Sequence, residues 1–368
     1  MTRLQRFTLL LTFAVALGIR LYDLTDPPFD FHATRQFRSA VIARGIFYAG
    51  LDHVDPQLRD RAIAQWESEQ QLEPSLLEWL TALTYHLPGG EALWKARLLS
   101  SLFWVFGGVA IFALVNEMTT FTAALVSSMV YLFLPFGVIA SRSFQPDPMM
   151  VMFTVVAVWQ IYRWHRTRAW RNAIWAGAFA GVAILSKAVA LFPIGGAAIA
   201  LVLFDRDWKS VLRDIQVWAI GLLALSPGAV YYVYGIFIAG FLQGQAKQSF
   251  LPSLWLDPNY YLRWAKLGVE VVGVSTLILV LVGIFFWKRK TERVFLLGLW
   301  VGYGTYGLAF PYHIMTHDYY QLPLIPIVAI SISPVIDLAA RWLAATRSRL
   351  VPIAIAALLM GWVIFNCG

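Results

Sequence analysis

Residues 96–116 read ARLLSSLFWVFGGVAIFALVN, a run in which Arg97 is the one charged residue. A helix of that length rises ~30 Å, the thickness of the hydrocarbon core of a bilayer. In that environment every backbone polar group has to be satisfied within the segment, so the run predicts a transmembrane helix. Comparable windows lie near 7–24, 119–138, 148–162, 172–187, 188–204, 214–235, 268–287, 294–311, 319–337 and 350–365, about eleven in all. Some are separated by only a few residues, which leaves room for one re-entrant hairpin. The composition agrees: of 368 residues 59% are hydrophobic and 14% charged, and the mean hydropathy is +0.64. Ordinary soluble domains carry about 25% charged residues. A soluble enzyme, a disordered chain and a disulfide scaffold are excluded. The single cysteine, Cys367, rules out an intrachain disulfide and a cysteine metal site.

The charges sort by side. With a cytoplasmic N-terminus, the inner segments hold sixteen basic residues: Arg3, Arg6, Arg163, Arg166, Arg168, Arg171, Arg206, Lys209, Arg213, Lys288, Arg289, Lys290, Arg293, Arg341, Arg347 and Arg349. The short outer loops hold five, Arg142, Lys187, Lys247, Arg263 and Lys266. The positive-inside rule sets this orientation and accounts for the net charge of +8 with no nucleic-acid partner. Arg3, Arg6 and Ala14-Val15-Ala16 also fit a cleaved leader, but the apolar run continues to Leu21, which favours an uncleaved first helix. Arg20, near its outer end, is read as a snorkelling anchor or as a partner for an anion.

The first outer loop, 25–95, opens DPPFDFHATRQFR over 26–38 and then turns apolar at Phe37, Val41 and Tyr48. The spacing predicts a helix in the membrane interface, with Asp30 or Thr34 near its start and Arg35 and Arg38 on one face. A second interfacial helix is expected over 75–86, after Glu73-Pro74. Each polar residue has a plain structural reading: Asp30 as an N-cap, Asp147 as the cap of a proline-initiated helix in Pro146-Asp147-Pro148, Lys187 as an inter-helix turn, and 317–320 as an aromatic belt. Their sidedness changes the weighing. Asp30, Arg35, Arg38, Glu73, Arg142, Asp147, Lys187, His317 and Asp318 come from four loops and all fall at the outer boundary, which points to a polar site there.

A long first outer loop opening Phe29-Asp30-Phe31-His32-Ala33-Thr34-Arg35-Gln36 resembles that of the GT-C superfamily of polytopic glycosyltransferases. Within it the likeness is to glycosyltransferase family 39, the branch with protein O-mannosyltransferases and the lipid A aminoarabinose transferase. Glu73-Pro74, Ser141-Arg142, Gln145-Pro146-Asp147-Pro148, Leu185-Ser186-Lys187, His317-Asp318-Tyr319-Tyr320 and Leu322-Pro323-Leu324 follow in the family's order. Two departures stand out: Phe31 occupies the place of the family's second carboxylate, and the sequence ends at Gly368, where many members continue into a soluble outer domain. The implied architecture is an all-α polytopic membrane protein, a single GT-C-like transmembrane domain over 1–368 with interfacial helices in 25–95 and no separate C-terminal soluble domain.

The resemblance implies an inverting transfer of a sugar from a polyprenyl-phosphate donor to an acceptor hydroxyl on a glycolipid, a polysaccharide or a protein. The reaction would take place on the extracytoplasmic face of the inner membrane, with surrounding lipid as the solvent. Phosphate is a weak base and a good leaving group, so the site must supply cations for the departing anion and a base for the acceptor. Asp30 is the expected base, and Arg35, Arg38, Arg142 and Lys187 the expected phosphate ligands. Glu73, Asp147, His317, Asp318, Tyr319 and Tyr320 are expected to support the site or the acceptor. A divalent metal on Glu73, Asp147 and His317 is an alternative way to neutralise the phosphate, although no pair has a diagnostic ligand spacing. A secondary transporter or lipid flippase is the rival reading. It calls for charges in mid-span and inverted repeats, whereas the span interiors here are nearly free of charge. A passive assembly subunit would not gather such an outer cluster.

Overall fold

In the computed structural model, which describes residues 1–287 and 289–345, the chain is helical throughout with no strand among the described residues. Lys288, Arg347, Arg349, Cys367 and the 350–365 window lie outside them. The first helix, α1 (Arg3–Leu21), starts with a capping box in which Thr2 Oγ1 accepts from Gln5 N–H and the Gln5 side chain accepts from Thr2 N–H. Between it and the long α5 (Leu93–Met118) come three helices of the expected outer segment: α2 (Ala33–Ala49), α3 (Pro56–Ser68) and α4 (Leu76–Tyr85). The 75–86 helix is therefore found. So is α3, which the hydrophobic pattern did not predict, although Asp55-Pro56 is a good start signal: Asp55 accepts from Gln57 N–H at 3.1 Å.

The bundle continues through α6 (Phe121–Phe133), α7 (Pro135–Ala140), α8 (Asp147–Thr167), α9 (Trp170–Ser186), α10 (Leu191–Phe204), α11 (Trp208–Arg213) and α12 (Ile215–Val233). It closes with α13 (Gln243–Ser249), α14 (Pro258–Val272), α15 (Val274–Phe286), α16 (Lys290–Ala309), α17 (Pro311–Thr316), α18 (Leu324–Ser331) and α19 (Ser333–Ala345). Helix α8 packs between α5 and α9, α12 lies on α9, and α10 lies on α16 and more lightly on α8. In the middle, every residue of α18 is buried. The outer faces are apolar, with Leu4, Phe7 and Leu10 on α1, Leu222 and Val230 on α12, and Phe285 on α15 all exposed. Faces of that extent belong against lipid.

Among the described residues four helical stretches are long and apolar enough to cross a membrane: Arg3–Leu21, Leu93–Met118, Ile215–Ile238 and Asp318–Leu343. The other predicted windows fall on shorter or less apolar central helices, and two are interrupted. In the 268–287 window α14 and α15 meet at 96°. The bend is made by Gly273 at φ 80°, a conformation open to glycine and strained for other residues. The 119–138 window breaks at Leu134-Pro135. Pro135 has no N–H for the Tyr131 carbonyl, and Trp104 Nε1–H donates there instead at 3.2 Å. Arg20 fills the next gap, donating to the Leu132 carbonyl at 2.8 Å, to Ser141 Oγ at 2.7 Å and to its own helix at Ala16 O. Arg20 is 0% exposed, so it neither snorkels nor faces an anion but caps a broken helix. The closest helix approach is α10 on α16. A Cβ on Gly196 would stand 2.2 Å from the Gly298 carbonyl oxygen, so only glycine fits.

Candidate active site

The stem of the first outer segment is built around Arg97, which lies one turn inside α5 and is 1% exposed. A guanidinium buried there needs acceptors. It donates to the Asp26 carbonyl at 2.8 Å and to Asp30 Oδ2 at 2.7 Å. Asp30 is thus not an N-cap. Neither it nor Thr34 starts α2; His32 does, with φ 42° and no side-chain capping bond. The physical reason is that the Asp30 carboxylate is engaged by Arg97 rather than by the helix N-terminus. Gln36, fully buried, ties this stem to the 141–147 turn: its amide donates to the Phe31 carbonyl and accepts from Phe144 N–H at 3.0 Å.

A second polar group forms around Asp147 and Lys187. Asp147 opens α8 behind Pro146, and Lys187 ends α9 in extended conformation. Lys187 Nζ donates to Asp147 Oδ1 at 2.8 Å, and the two side chains are 4% and 1% exposed. Asp147 Oδ2 and both amide atoms of Gln145 are buried with no hydrogen-bond partner among the described residues. The Lys187 ammonium stands 4.7 Å from the ring centroid of Tyr319 and 4.2 Å from that of Tyr320, a cation–π seat that leaves ammonium hydrogens free for an anion. Arg35 donates to Glu73 Oε1 at 2.8 Å and lies 5.9 Å from the Tyr319 ring. Burial pushes the Glu73 carboxyl up, but Arg35, Lys187 and Arg38 outweigh it and hold it below the ordinary range. It stays ionised at neutral pH.

His317 and His313 complete this group. Burial drives both imidazoles down, helped for His313 by His317 and Lys187 and for His317 by His32 and Lys187; His313 reaches about 4. His313 stacks on Tyr320 at 4.8 Å and 7°, and its Nε2 is 3.2 Å from Ser249 Oγ. Asp318 is joined to His32 by a 2.6 Å hydrogen bond.

Lys187, Glu73 and Tyr320, with Tyr232, Gln245 and Ser249, are the polar lining of a cavity of ≈ 450 Å³. The rest of its wall is largely apolar, with Val189, Phe192, Ile236, Leu242 and Phe310 among its lining.

The structure therefore brings Arg35, Glu73, Asp147, Lys187, His317, Asp318, Tyr319 and Tyr320 into one group. Asp30 stands beside it with Arg97. Arg38 turns to Gln70 O and Glu69, and Arg142 turns to Tyr22 O and repels Arg97. Glu73, Asp147 and His317 are not gathered as ligands, and among the described residues no group of three or more His, Cys, Asp or Glu side chains could hold a metal. The carboxylates are tied to cations, and His317 Nδ1 lies 2.7 Å from Thr316 Oγ1. Sequence reasoning missed Arg97, His32 and His313. Arg97 carried a signal, because a charge inside the edge of an apolar window needs a partner. His32 and His313 carried none, since their partners are 286 and 64 residues away.

Residues 73–234 match the family model described as dolichyl-phosphate-mannose-protein mannosyltransferase. No curated protein matches the chain by sequence. Among solved structures the fold is that of ArnT from Cupriavidus metallidurans. The form bound to undecaprenyl phosphate has TM-score 0.63 and 17% identity over 89% of this chain and 59% of that one; the apo form has TM-score 0.64 and 18% identity over 98% and 63%. AglB from Archaeoglobus fulgidus, an archaeal oligosaccharyltransferase in complex with an inhibitory peptide and a dolichol-phosphate, follows at TM-score 0.59 and 14% identity, over 99% and 55%. The chain spans about three fifths of the length of the ArnT chains. In fold the chain is similar to ArnT and AglB, and over residues 73–234 it matches the mannosyltransferase family model, in line with the resemblance carried by its sequence motifs.

Proposed function

We propose that the protein is an inverting glycosyltransferase that moves a sugar from a polyprenyl-phosphate donor to an acceptor hydroxyl at the extracytoplasmic face of the inner membrane. About eleven spans, with 25–95 as the outer segment, would make up one transmembrane domain. The observation that carries the reading is a largely apolar cavity whose lining includes a buried lysine seated on two tyrosines. That is the shape and chemistry of a prenyl chain with a phosphate at its tip. The undecaprenyl phosphate named for ArnT and the dolichol-phosphate named for AglB support the same class of ligand.

In this reading Lys187 and Arg35 receive the phosphate. Lys187 spends one hydrogen on Asp147 and Arg35 one N–H on Glu73, so each keeps donors for the anion. Asp30 Oδ1, free of Arg97, takes the proton from the acceptor hydroxyl. The acceptor oxygen bonds to the anomeric carbon from the face opposite the phosphate, the C–O bond to phosphate breaks, and its electron pair leaves with the polyprenyl phosphate. No general acid is needed, because the leaving anion is already stable and is met by fixed cations. Arg38 and Arg142 act at longer range, as positive charge at the mouth. The acceptor is a glycolipid, polysaccharide or protein hydroxyl, placed beside Asp318 and the aromatic turn.

The test is release of undecaprenyl phosphate from a panel of undecaprenyl-phosphate-linked hexoses and pentoses by the purified chain with each acceptor class. Acceptor-dependent release is expected from at least one donor; no release, with no binding of undecaprenyl phosphate, would overturn the reading. For sidedness, a cysteine at position 30 should react with an impermeant maleimide from outside whole cells, and labelling only after lysis would reverse the orientation.

A further inference from the structure

His32 adopts the left-handed backbone region, at φ 42°, where a residue with a Cβ is strained and glycine or asparagine sits more easily. Such strain persists where surrounding contacts over-determine it, and it clusters at functional sites. Capping does not explain the choice of histidine, since the side chain makes no bond to its own helix. Burial does not either, for the His32 and Asp318 side chains are 32% and 35% exposed.

The contacts that hold the ring all point across the site. Nε2–H donates to Asp318 Oδ1 at 2.6 Å, a length typical of charge-assisted bonds. The ring stands edge-on to Phe31 at 4.6 Å and to Tyr319 at 4.7 Å, and Phe31 is braced in turn by Phe136 at 5.6 Å. His32 lies two residues after Asp30, and Asp318 lies next to the tyrosine pair under Lys187. The hydrogen bond therefore fastens the carboxylate half of the site to the phosphate half.

We propose that His32 is a positioning residue for sugar transfer: through Asp318 it fixes the distance and angle between the Asp30 carboxylate and the phosphate held at Lys187. The inference rests on the glycosyltransferase reading above. A base and a leaving group on opposite faces of one carbon must be held in line, and small displacements cost rate rather than affinity. The strained backbone supplies that rigidity, because a relaxed turn would place the imidazole elsewhere.

His32→Gly removes the strain and the bond together, which separates a functional role from a structural one. The thermal midpoint is expected to stay level or rise, the KM for the lipid-linked donor to stay within about twofold, and kcat to fall ten- to a hundredfold. His32→Asn, which tolerates the same backbone and keeps a shorter donor, should recover part of that loss. Asp318→Asn should lower kcat similarly, and combining it with His32→Gly should add little, as for two partners of one bond. The proposal is overturned if His32→Gly keeps wild-type kcat, if its midpoint falls in step with its activity, or if the two losses multiply. A wild-type chain that turns over no lipid-linked sugar defeats the glycosyltransferase reading and this proposal with it. An active wild type beside a fully active His32→Gly defeats the proposal alone.

Discussion

Two aspartate–cation pairs flank the His32–Asp318 hydrogen bond, and their burial is reversed. In Asp30–Arg97 the cation is 2% exposed and the carboxylate 35%, so water and an acceptor can reach the acid while the arginine is locked into the stem. In Asp147–Lys187 both members are hidden, at 1% and 4%, yet the lysine alone lines the cavity. The same chemical pair thus presents opposite working ends. In the proposed mechanism the cation of the first pair is the holder and its carboxylate acts, whereas in the second the carboxylate is the holder and the cation meets the ligand. The sequence resemblance casts Asp30 as the base and Asp147 as a supporting residue, and the folded geometry gives the physical difference between them.

The largest effect should come from the reactive end of the first pair. Asp30→Asn keeps the shape and can still meet Arg97, so kcat should drop ~10²–10⁴-fold, the range for loss of a general base, with the thermal midpoint and lipid binding little changed. Normal turnover in that variant would remove the base and the comparison with it. Lys187→Met attacks the working end of the second pair. It should weaken undecaprenyl phosphate binding roughly 10- to 100-fold through loss of a charge-assisted bond. It should also cost about 3–5 kcal/mol of stability, because Asp147 is left as a buried charge without a partner. Adding Asp147→Asn should restore much of the stability and none of the binding; measuring both separates the holder from the ligand. Arg97→Met should cost less, about 1–3 kcal/mol, since water can hydrate the exposed Asp30 that it leaves behind.

The smallest effect concerns pH. His313, stacked beneath the phosphate half, titrates at about 4 in the folded protein against 6.5 for a free histidine, chiefly because it is buried. A depressed folded value means that its share of stability is complete above pH 6.5 and is lost as the pH falls toward about 4. Between pH 7 and pH 5 the wild type should lose about 1–2 kcal/mol that His313→Gln does not lose. Thermal midpoints in detergent at the two pH values check it. Equal losses would place the acid sensitivity elsewhere.

Much of this architecture is legible in the sequence, because apolar runs and the distribution of Lys and Arg are local properties. The windows over α1, α5 and α12 could be read directly. The breaks could be read less well: Pro135 and Gly273 are visible as residues, but that Trp104 and Arg20 would take up the carbonyls freed near Pro135 depends on helices far away in sequence. The site divides in the same manner. Sidedness collected Arg35, Glu73, Asp147, Lys187, His317 and Asp318, since loops at one end of a bundle must converge. It could not say which cation meets which carboxylate. Asp30–Arg97 and His32–Asp318 are pairings across 67 and 286 residues, fixed by packing alone.

The most direct test of this division of labour is a structure of the full chain with bound undecaprenyl phosphate. The account predicts the phosphate within hydrogen-bond distance of Lys187 Nζ, the prenyl chain along Val189, Phe192 and Phe310, and Asp30 facing the phosphate from across the mouth. A phosphate seated on Arg97 and Arg142, with Lys187 still closed on Asp147 and the cavity free of lipid, would contradict it.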